Sequence, residues 1–291
     1  MPFKYFVELL LLSAIWGASF LFMRTTSADF GPIMLITLRT GIAAVVLIPF
    51  LLYKKQTQII FRYWLPILLV AVTNTAIPFC LFAYSTLYLG AGFASVLNAT
   101  APMFAALIGF YWLKDKLNLL AVLGLFIGFI GVLLLSLARE NTDFATSVLP
   151  ILAALSATLL YGVAACLTKR YLQGVNSLAI ATGSQCFAVL LFAPLSLFFW
   201  PASMPSIQSW WQVLALGVVC TAIAYILYFR LIANVGAAKA ITVAYLVPVF
   251  GIVWGMTFLN EHLTPGMWLG AALVLVGVAL TTNLFKRRVV I

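Results

Sequence analysis

The sequence predicts an all-α integral membrane protein in which ten transmembrane helices form two inverted five-helix repeats. Three observations support this prediction. Hydrophobic residues make up 65% of the chain and charged residues 8%, whereas water-soluble domains carry about 25% charged residues. Apolar segments about 20 residues long, the length that spans a hydrocarbon core, recur along the whole chain. The first half of the sequence also reappears in the second half, about 145 residues further on.

The ten apolar segments take up most of the chain and leave no room for a soluble domain. Their approximate bounds are residues 5–23, 33–53, 65–86, 91–112, 117–137, 148–168, 177–199, 211–231, 237–258 and 265–284.

The internal repeat is clearest between residues 90–134 and 236–280, where 13 of 45 aligned positions are identical. Matched glycines and prolines are the strongest evidence for the repeat, because these residues are selected by backbone geometry rather than by hydropathy. The matched pairs are Gly90/Gly236, Pro102/Pro248, Gly109/Gly255, Gly124/Gly270 and Gly131/Gly277. A repeat of five crossings begins its second copy on the opposite side of the membrane, which inverts the copies. We expect the repeats to cover residues 1–140 and 141–291.

Basic residues in or beside the first two apolar segments lead to two separate predictions. The first segment follows Lys4 and lacks a small-residue cleavage site, so it predicts a retained helix rather than a signal peptide. The second segment contains Arg39, about seven residues from its external end, which places it about 10 Å deep at 1.5 Å per residue. A cation there costs about 2.5 to 3.5 kcal/mol. Arg39 therefore either reaches outward toward Asp29 or faces a wet cavity and binds a carboxylate.

Polar residues form stripes on the third, fourth, eighth and ninth segments. In each segment they recur at a spacing that places them on one helix face. Because a polar group facing lipid has no bonding partner, these faces turn toward protein or a cavity. The stripes are Asn74, Pro78 and Ser85; Ser95, Asn98 and Pro102; Thr221, Tyr225 and Tyr228; and Thr242, Tyr245 and Pro248.

The repeat brings further polar positions into correspondence, namely Thr37/Thr182, Thr40/Gln185 and Trp16/Tyr161. Such symmetric placement predicts a substrate-binding site between the repeats. The alternative is that these groups only bond across packed helices. The predicted substrate-binding residues are Trp16, Thr37, Arg39, Thr40, Asn74, Ser95, Asn98, Tyr161, Thr182, Gln185, Thr221, Tyr225 and Tyr245.

Proline and glycine at matched positions predict two further roles. Pro102 and Pro248 lie near the centres of the fourth and ninth segments, where each removes a backbone hydrogen bond and acts as a hinge or a static kink. The fifth and tenth segments carry small-residue faces for close helix packing. These faces are Gly124, Gly128 and Gly131, and Gly270 and Gly277.

The basic residues predict the orientation. Thirteen lie on the side of the N-terminus and two, Arg24 and Arg139, on the opposite side. The positive-inside rule therefore places both termini in the cytoplasm. We expect the protein to lie in the inner membrane of the cell. Anionic lipid accounts for the net charge of +10, so no nucleic-acid partner is expected. The thirteen are Lys4, Lys54, Lys55, Arg62, Lys114, Lys116, Lys169, Arg170, Arg230, Lys239 and residues 286–288.

Signatures of enzymes and metal sites are absent from the sequence. All four cysteines fall within apolar segments and none has metal-ligand spacing, so each is expected to act as a small apolar residue. His262 and Glu261 lie in a short external loop without a second ligand, which favours a solvated turn. We expect no cofactor and no metal.

Several motifs resemble the EamA-type repeat of the drug/metabolite transporter superfamily. In the first copy these are Ile15-Trp16-Gly17-Ala18-Ser19-Phe20 with Arg24, Leu38-Arg39, and Pro102 followed by Leu113-Lys114-Asp115, Gly124 and Gly131. In the second copy they are Pro248, Leu259-Asn260-Glu261, Gly270 and Gly277. The resemblance implies ten helices in two inverted repeats that export or exchange small metabolites. Tyr161 stands where the first copy has tryptophan, and this departure weakens any inference about the substrate.

The sequence favours an exporter of amino acids or related hydrophobic or zwitterionic solutes. A facilitative exchanger or uptake permease on the same fold is the alternative, and a non-transporting membrane protein is a third class. Related small multidrug transporters carry a carboxylate in the middle of the first helix, where this chain has Trp16-Gly17. A coupling proton and the oligomeric state stay open, and a monomer is compatible with the sequence.

Overall fold

The computed structural model describes residues 2–138, 144–201 and 203–282, which form helices joined by short connections. Within these described residues, seven helices are long and apolar enough to cross a membrane, and two further apolar helices have 17 residues each. This architecture confirms the all-α membrane class. The long helices are α1 (Phe3–Tyr53), α2 (Trp64–Tyr88), α3 (Ala91–Trp112), α4 (Leu119–Leu137), α5 (Phe144–Tyr171), α6 (Ser177–Ser196) and α7 (Ile207–Val235); the shorter ones are α8 (Val243–Leu259) and α9 (Pro265–Thr281). Helical turns Thr57–Arg62 and Ala237–Ala240 precede α2 and α8.

Helix α1 is a hairpin of two arms rather than one rod. Gly31 has φ 69° and ψ 156°, a conformation essentially restricted to glycine. The side chains of Met23 and Arg39, eight residues on either side of Gly31, lie 3.6 Å apart. In a straight helix their Cα atoms would be about 24 Å apart. The sequence predicted two segments separated by a connection at 24–32, whereas both arms stay helical up to the bend.

Alanine at Gly31 is expected to lower the free energy of unfolding by about 1 to 3 kcal/mol, because a Cβ makes this backbone conformation unfavourable. No atom lies within 4 Å of the added Cβ, so the cost is that of the backbone alone. Denaturation of the purified protein in detergent measures it. Gly41→Ala is the matched control. It replaces a glycine inside the helix, and its added Cβ lies 3.7 Å from Val189, an ordinary contact distance. A Gly31→Ala variant as stable as Gly41→Ala would contradict the role of the bend.

Two helices contain a π-helical turn at equivalent depth. The turn in α2 is Ala71–Ala76 and the turn in α7 is Val218–Ile223. In α7, the hydroxyl of Thr221 donates to the carbonyl of Leu216, five residues earlier, at 2.8 Å. Turns of this kind frequently mark functional sites in helices, and these two place polar residues in the middle of the bundle.

Helices α4 and α9 pack with their backbones in contact, which confirms the close packing expected from their glycines. A Cβ on Gly131 would lie 2.6 Å from the amide nitrogen of Val274, and one on Gly270 would lie 2.6 Å from that of Leu135. Because the blocking atoms belong to the backbone, no side-chain rotation can relieve such a clash. The glycines therefore fix the distance between the two helices.

The first arm of α1 and helix α5 each pack against a helix from the other half of the chain. A Cβ on Gly17 would lie 2.7 Å from the Cβ of Phe250 in α8, and one on Gly162 would lie 2.8 Å from the backbone of Phe104 in α3. Gly17 corresponds to Gly162 in the repeat, and Phe104 corresponds to Phe250. The two contacts are therefore equivalent and join the halves crosswise.

Some sequence predictions fall outside the described residues. These are the external position of Arg139, the basic residues 286–288 and the boundary between residues 140 and 141.

Candidate functional site

A cavity of about 500 Å³ lies between the two halves of the chain, at the level of the π-helical turns. Both halves contribute to its wall, as the sequence predicted for the binding site. It is lined by Trp16, Ser19, Phe20, Met23, Arg39, Asn74, Phe79, Phe82, Asn98, Ala101, Pro102, Ala105, Tyr161, Ala165, Cys220, Tyr225, Tyr228, Ile241, Ala244, Val247 and Thr282.

Six of the thirteen predicted substrate-binding residues line this cavity. They come from α1, α2, α3, α5 and α7, and all except Arg39 are half-buried because one side faces the cavity. The six are Trp16, Arg39, Asn74, Asn98, Tyr161 and Tyr225.

The other seven predicted residues do not line the cavity. Thr37 and Thr40 donate to carbonyl groups of their own helix, those of Ile33 at 2.9 Å and Ile36 at 2.7 Å. A threonine can satisfy itself in this way, so its polarity does not require a cavity.

Four of these residues bond elsewhere or are buried in helix packing. The hydroxyl of Ser95 donates to the Gly92 carbonyl at 2.7 Å, and that of Tyr245 bonds to Thr282. Thr182 and Gln185 are fully buried in α6, and their side-chain polar atoms have no hydrogen-bond partner in the described part of the chain.

Arg39 is the one charged group among the described residues that line the cavity, and its side chain is held by neutral neighbours. The residue is 4% exposed. Its Nε donates to Thr221 Oγ1 at 2.9 Å, and its guanidinium carbon lies 3.8 Å from the ring centre of Phe79. Thr221 is the last of the seven predicted residues that do not line the cavity. It holds the Arg39 side chain in position through this hydrogen bond. Asp29 instead accepts a hydrogen bond from Ser209, so the outward-reaching alternative for Arg39 is wrong.

Aromatic rings form much of the remaining wall. Trp16 packs on Tyr228 with ring centres 5.2 Å apart, and Phe82 stacks on Tyr161 at 6.1 Å. Sequence reasoning left Phe79, Phe82 and Met23 out of the site. Their apolar side chains look the same in the sequence whether they face lipid, another helix or a cavity.

Pro102 and Pro248 each follow a turn that interrupts the predicted segment, but they lie at different distances from that turn. Pro102 lies in the first turn of the helical segment Ala101–Trp112, after a turn at residues 99–100 that interrupts α3. Pro248 is the sixth residue of α8, which begins after the turn at residues 241–242 that follows Ala237–Ala240. Two kinks at matched depth stay a prediction. A hinge function for either proline stays a prediction.

One end of the cavity is closed because the start of α3 packs directly against the end of α8: Ser95 is fully buried there, and a Cβ on Gly92 would lie 3.1 Å from the Cα of Ile252. The carboxylate of Glu261, just past α8, accepts hydrogen bonds from the backbone nitrogens of Ala91 at 2.6 Å and Gly92 at 3.0 Å. Negative charge at a helix N-terminus is stabilised by the helix dipole and by these unpaired amides. The expectation of a solvated turn is wrong for Glu261, which instead joins the two halves of the chain.

Asp115 occupies the equivalent position after α3, in a loop of the same local shape. The backbone nitrogens of Asp115 and Glu261 both donate at 3.1 Å to the glycine carbonyl six residues earlier, Gly109 or Gly255. The carboxylate of Asp115, however, pairs with Lys169 at 2.7 Å. The two equivalent carboxylates therefore have different partners at the two ends of the bundle.

Among the residues that the structure describes, the other end of the cavity is open. Ile241 and Thr282 line the cavity and are exposed, and Ile241 lies just before α8, whereas Glu261 lies just after it. The mouth and the closed end are thus at opposite ends of α8. Near the mouth, Glu8 pairs with Arg230 at 3.0 Å.

A second cavity, of about 630 Å³, lies at the bend of α1 beside residues 198–201. Among the described residues that line it, Asp29 is the one charged group, and it is engaged by Ser209. The described lining lacks the polar side chains from both halves that distinguish the central cavity.

The sequence profile of the EamA-like transporter family matches residues 5–137 and 148–283. Among curated proteins, the chain is similar to the uncharacterized transporter YoaV of Bacillus subtilis, with 26% identity over 98% of this chain and 99% of the relative. It is also similar to the uncharacterized transporter YvbV of the same organism, with 25% identity over 94% of this chain and 90% of the relative.

One further relative has a more specific name. A probable terminal-alkyne amino-acid exporter of Streptantibioticus cattleyicolor is 25% identical over 69% of this chain and 67% of its own length. Among solved structures, the chain is similar to one crystal structure with a TM-score of 0.69 and 18% identity, and the alignment covers 97% of both chains. This likeness shows the fold alone.

Proposed function

Since the chain belongs to the EamA-like transporter family, we propose that this membrane transporter is a secondary carrier that exports small zwitterionic or hydrophobic metabolites, such as amino acids, by alternating access. The observation that carries the proposal is the central cavity of about 500 Å³, which, within the described part of the chain, is open at one end and closed at the other. An alternating-access carrier requires such a state, because solute enters from one side while the other side stays sealed. The similarity to an amino-acid exporter supports the substrate class.

We also propose that the chain crosses the membrane ten times as two inverted repeats, residues 1–140 and 141–291. The bend at Gly31 divides α1 into two arms, each of membrane length, and these arms with α2 to α9 make ten segments. The two matches to one family profile and the crosswise contacts of Gly17 and Gly162 support the division. The excess of basic residues on the side of the mouth supports a cytoplasmic location of both termini and of the open end.

Inversion predicts that Lys169 and His262 lie on opposite faces of the cell membrane. Single cysteines at these two positions, in a variant without the four native cysteines, are expected to react with a membrane-impermeant maleimide from opposite sides. Intact cells and inside-out vesicles supply the two sides, and Lys169→Cys should be labelled only in the vesicles. Labelling of both positions from the same side would contradict the inverted arrangement.

Flux in proteoliposomes tests the proposed transport. Vesicles containing the purified protein are loaded with a panel of amino acids, amines, carboxylates and neutral metabolites, and the release of each is compared with that from empty vesicles. Release of at least one solute faster than from the empty vesicles is expected. Counterflow without an ion gradient would identify the exchanger alternative. Failure to move any solute of the panel in either direction would contradict a carrier function.

A further inference from the structure

The charge of Arg39 has no anionic partner in the described part of the chain. Each of the four acidic side chains described there is engaged elsewhere. The pairs are Glu8 with Arg230, Asp29 with Ser209, Asp115 with Lys169, and Glu261 with the amides of Ala91 and Gly92. A buried cation held only by neutral groups is costly. Contact with the ring of Phe79 offsets part of that cost.

The guanidinium retains hydrogen-bonding capacity toward a ligand. Arginine has five N–H donors in a planar fork. One, on Nε, is used by Thr221, and one, on Nη1, points to the sulfur of Met23 at 3.6 Å, which is a weak acceptor. The remaining N–H groups have no acceptor among the described residues. A carboxylate matches such a fork with two parallel hydrogen bonds.

The rest of the described wall contributes no second charge. Arg39 is the single charged residue among the described residues that line the cavity. An ammonium group in the cavity would meet only neutral oxygens, such as those of Asn74 and Asn98. A second negative charge on the solute would be left without a counter-ion at a site flanked by aromatic rings, which is unfavourable.

We propose that the solute carried by this cavity is an organic monocarboxylate with an apolar or aromatic body, that Arg39 binds its carboxylate, and that an amino group on the solute contributes little to binding. This inference rests on the proposed transport function. It assigns the ligand chemistry from charge balance: one buried guanidinium, one carboxylate and apolar walls formed by Trp16, Phe82 and Tyr161.

Binding of four matched probes to the purified protein in detergent tests the proposal. L-Phenylalanine carries both groups, 3-phenylpropanoate lacks the amine, 2-phenylethylamine lacks the carboxylate, and phenylsuccinate carries two carboxylates. We expect the first two to bind with affinities within about threefold of each other, and the amine to bind at least about thirtyfold more weakly, as expected for a lost charge-assisted pair. The dicarboxylate should also bind more weakly. Amine binding as tight as that of 3-phenylpropanoate would overturn the proposal.

Variants separate a binding role of Arg39 from a structural one. Arg39→Lys keeps the charge without the fork, and Arg39→Met removes the charge; both should weaken 3-phenylpropanoate binding, Arg39→Met by about thirtyfold or more. Because an unpaired buried charge is removed, Arg39→Met should also unfold at a higher temperature than the unliganded wild type. Lys169→Met, at an exposed cation, is the control and should change neither property. Unchanged binding by Arg39→Met would overturn the proposal, as would weaker binding in an Arg39→Met variant that unfolds at a lower temperature than the unliganded wild type, because Arg39 would then have a structural role.

The flux panel distinguishes failure of this inference from failure of the transport function. Transport of amines or neutral solutes without any carboxylate would overturn the monocarboxylate assignment and leave the carrier function intact. Absence of all transport would contradict the carrier function itself. Competition of 3-phenylpropanoate with the transported solute, lost in Arg39→Met, is the result expected if both hold.

Discussion

Alanine at Gly131 or Gly270 is expected to lower the free energy of unfolding by about 3 kcal/mol, the upper end of the usual cost of overpacking. The added methyl groups would lie 2.6 Å from the backbone nitrogens of Val274 and Leu135. Because neither nitrogen belongs to a movable side chain, helices α4 and α9 must separate along their length. Denaturation in detergent, followed by circular dichroism, measures the loss.

Pairing of the two substitutions provides a sharper test of this interface. The Cβ of each variant also approaches the carbonyl oxygen of the other glycine, at 2.8 and 2.9 Å. Once one methyl group has separated the helices, the second finds room, so the double variant should be less destabilised than the sum of the single variants. Gly128→Ala is the control, since its methyl group meets the flexible end of Met103 and should cost less. Additive losses, or equal losses in all three single variants, would contradict the backbone contact.

Glutamine at Glu261 is expected to open the closed end of the cavity. The carboxylate holds two backbone amides at the start of α3, at 2.6 and 3.0 Å. Glutamine keeps one acceptor oxygen, presents an NH₂ group to an N–H donor and loses the charge that the helix dipole favours. Loss of one charge-assisted hydrogen bond costs about 2 kcal/mol, which shifts the ratio of closed to open conformers about thirtyfold.

The reactivity of Ser95→Cys reports this opening. Ser95 is fully buried below the contact and bonds to the Gly92 carbonyl, so a cysteine there reacts with a maleimide only when α3 and α8 part. With the native cysteines replaced, its labelling rate should rise severalfold or more in Glu261→Gln. Asp115→Asn is the matched control at the equivalent position, where the carboxylate pairs with an exposed lysine, and it should leave the rate unchanged. Equal rates in Glu261→Gln and the wild type would exclude Glu261 as the closing contact.

Correspondence in the repeat predicted only part of the cavity wall. Trp16 and Tyr161 correspond in the repeat, and both line the cavity. The position of Arg39 within the second apolar segment placed it in the membrane, but its side chain could point either outward or into a cavity. Its hydrogen bond to Thr221 decided between these two directions. Thr37 and Thr40 follow the same pattern of symmetry, yet each bonds to its own helix, since a hydroxyl can satisfy itself locally.

The apolar part of the wall was not predictable from the sequence. Phe79 supports the guanidinium of Arg39 and Phe82 stacks on Tyr161, but lipid, protein and cavity all accept phenylalanine. Glu261 is a similar case, because its partner amides belong to residues 170 and 169 positions away in the chain. Its spacing from Asp115 showed that the two positions are equivalent in the repeat. The spacing did not show that only one of the two carboxylates closes an end of the cavity.

The sequence by itself determined the membrane class, the helical segments, the duplication and the glycine faces of α4 and α9. These properties depend on hydropathy over about 20 residues and on backbone freedom at single positions, which are local. Only the tertiary structure decided which side of each helix faces the cavity, where Arg39 points and which carboxylate closes an end. These properties depend on how each helix is rotated and placed against its neighbours, and side chains far apart in the chain set that arrangement.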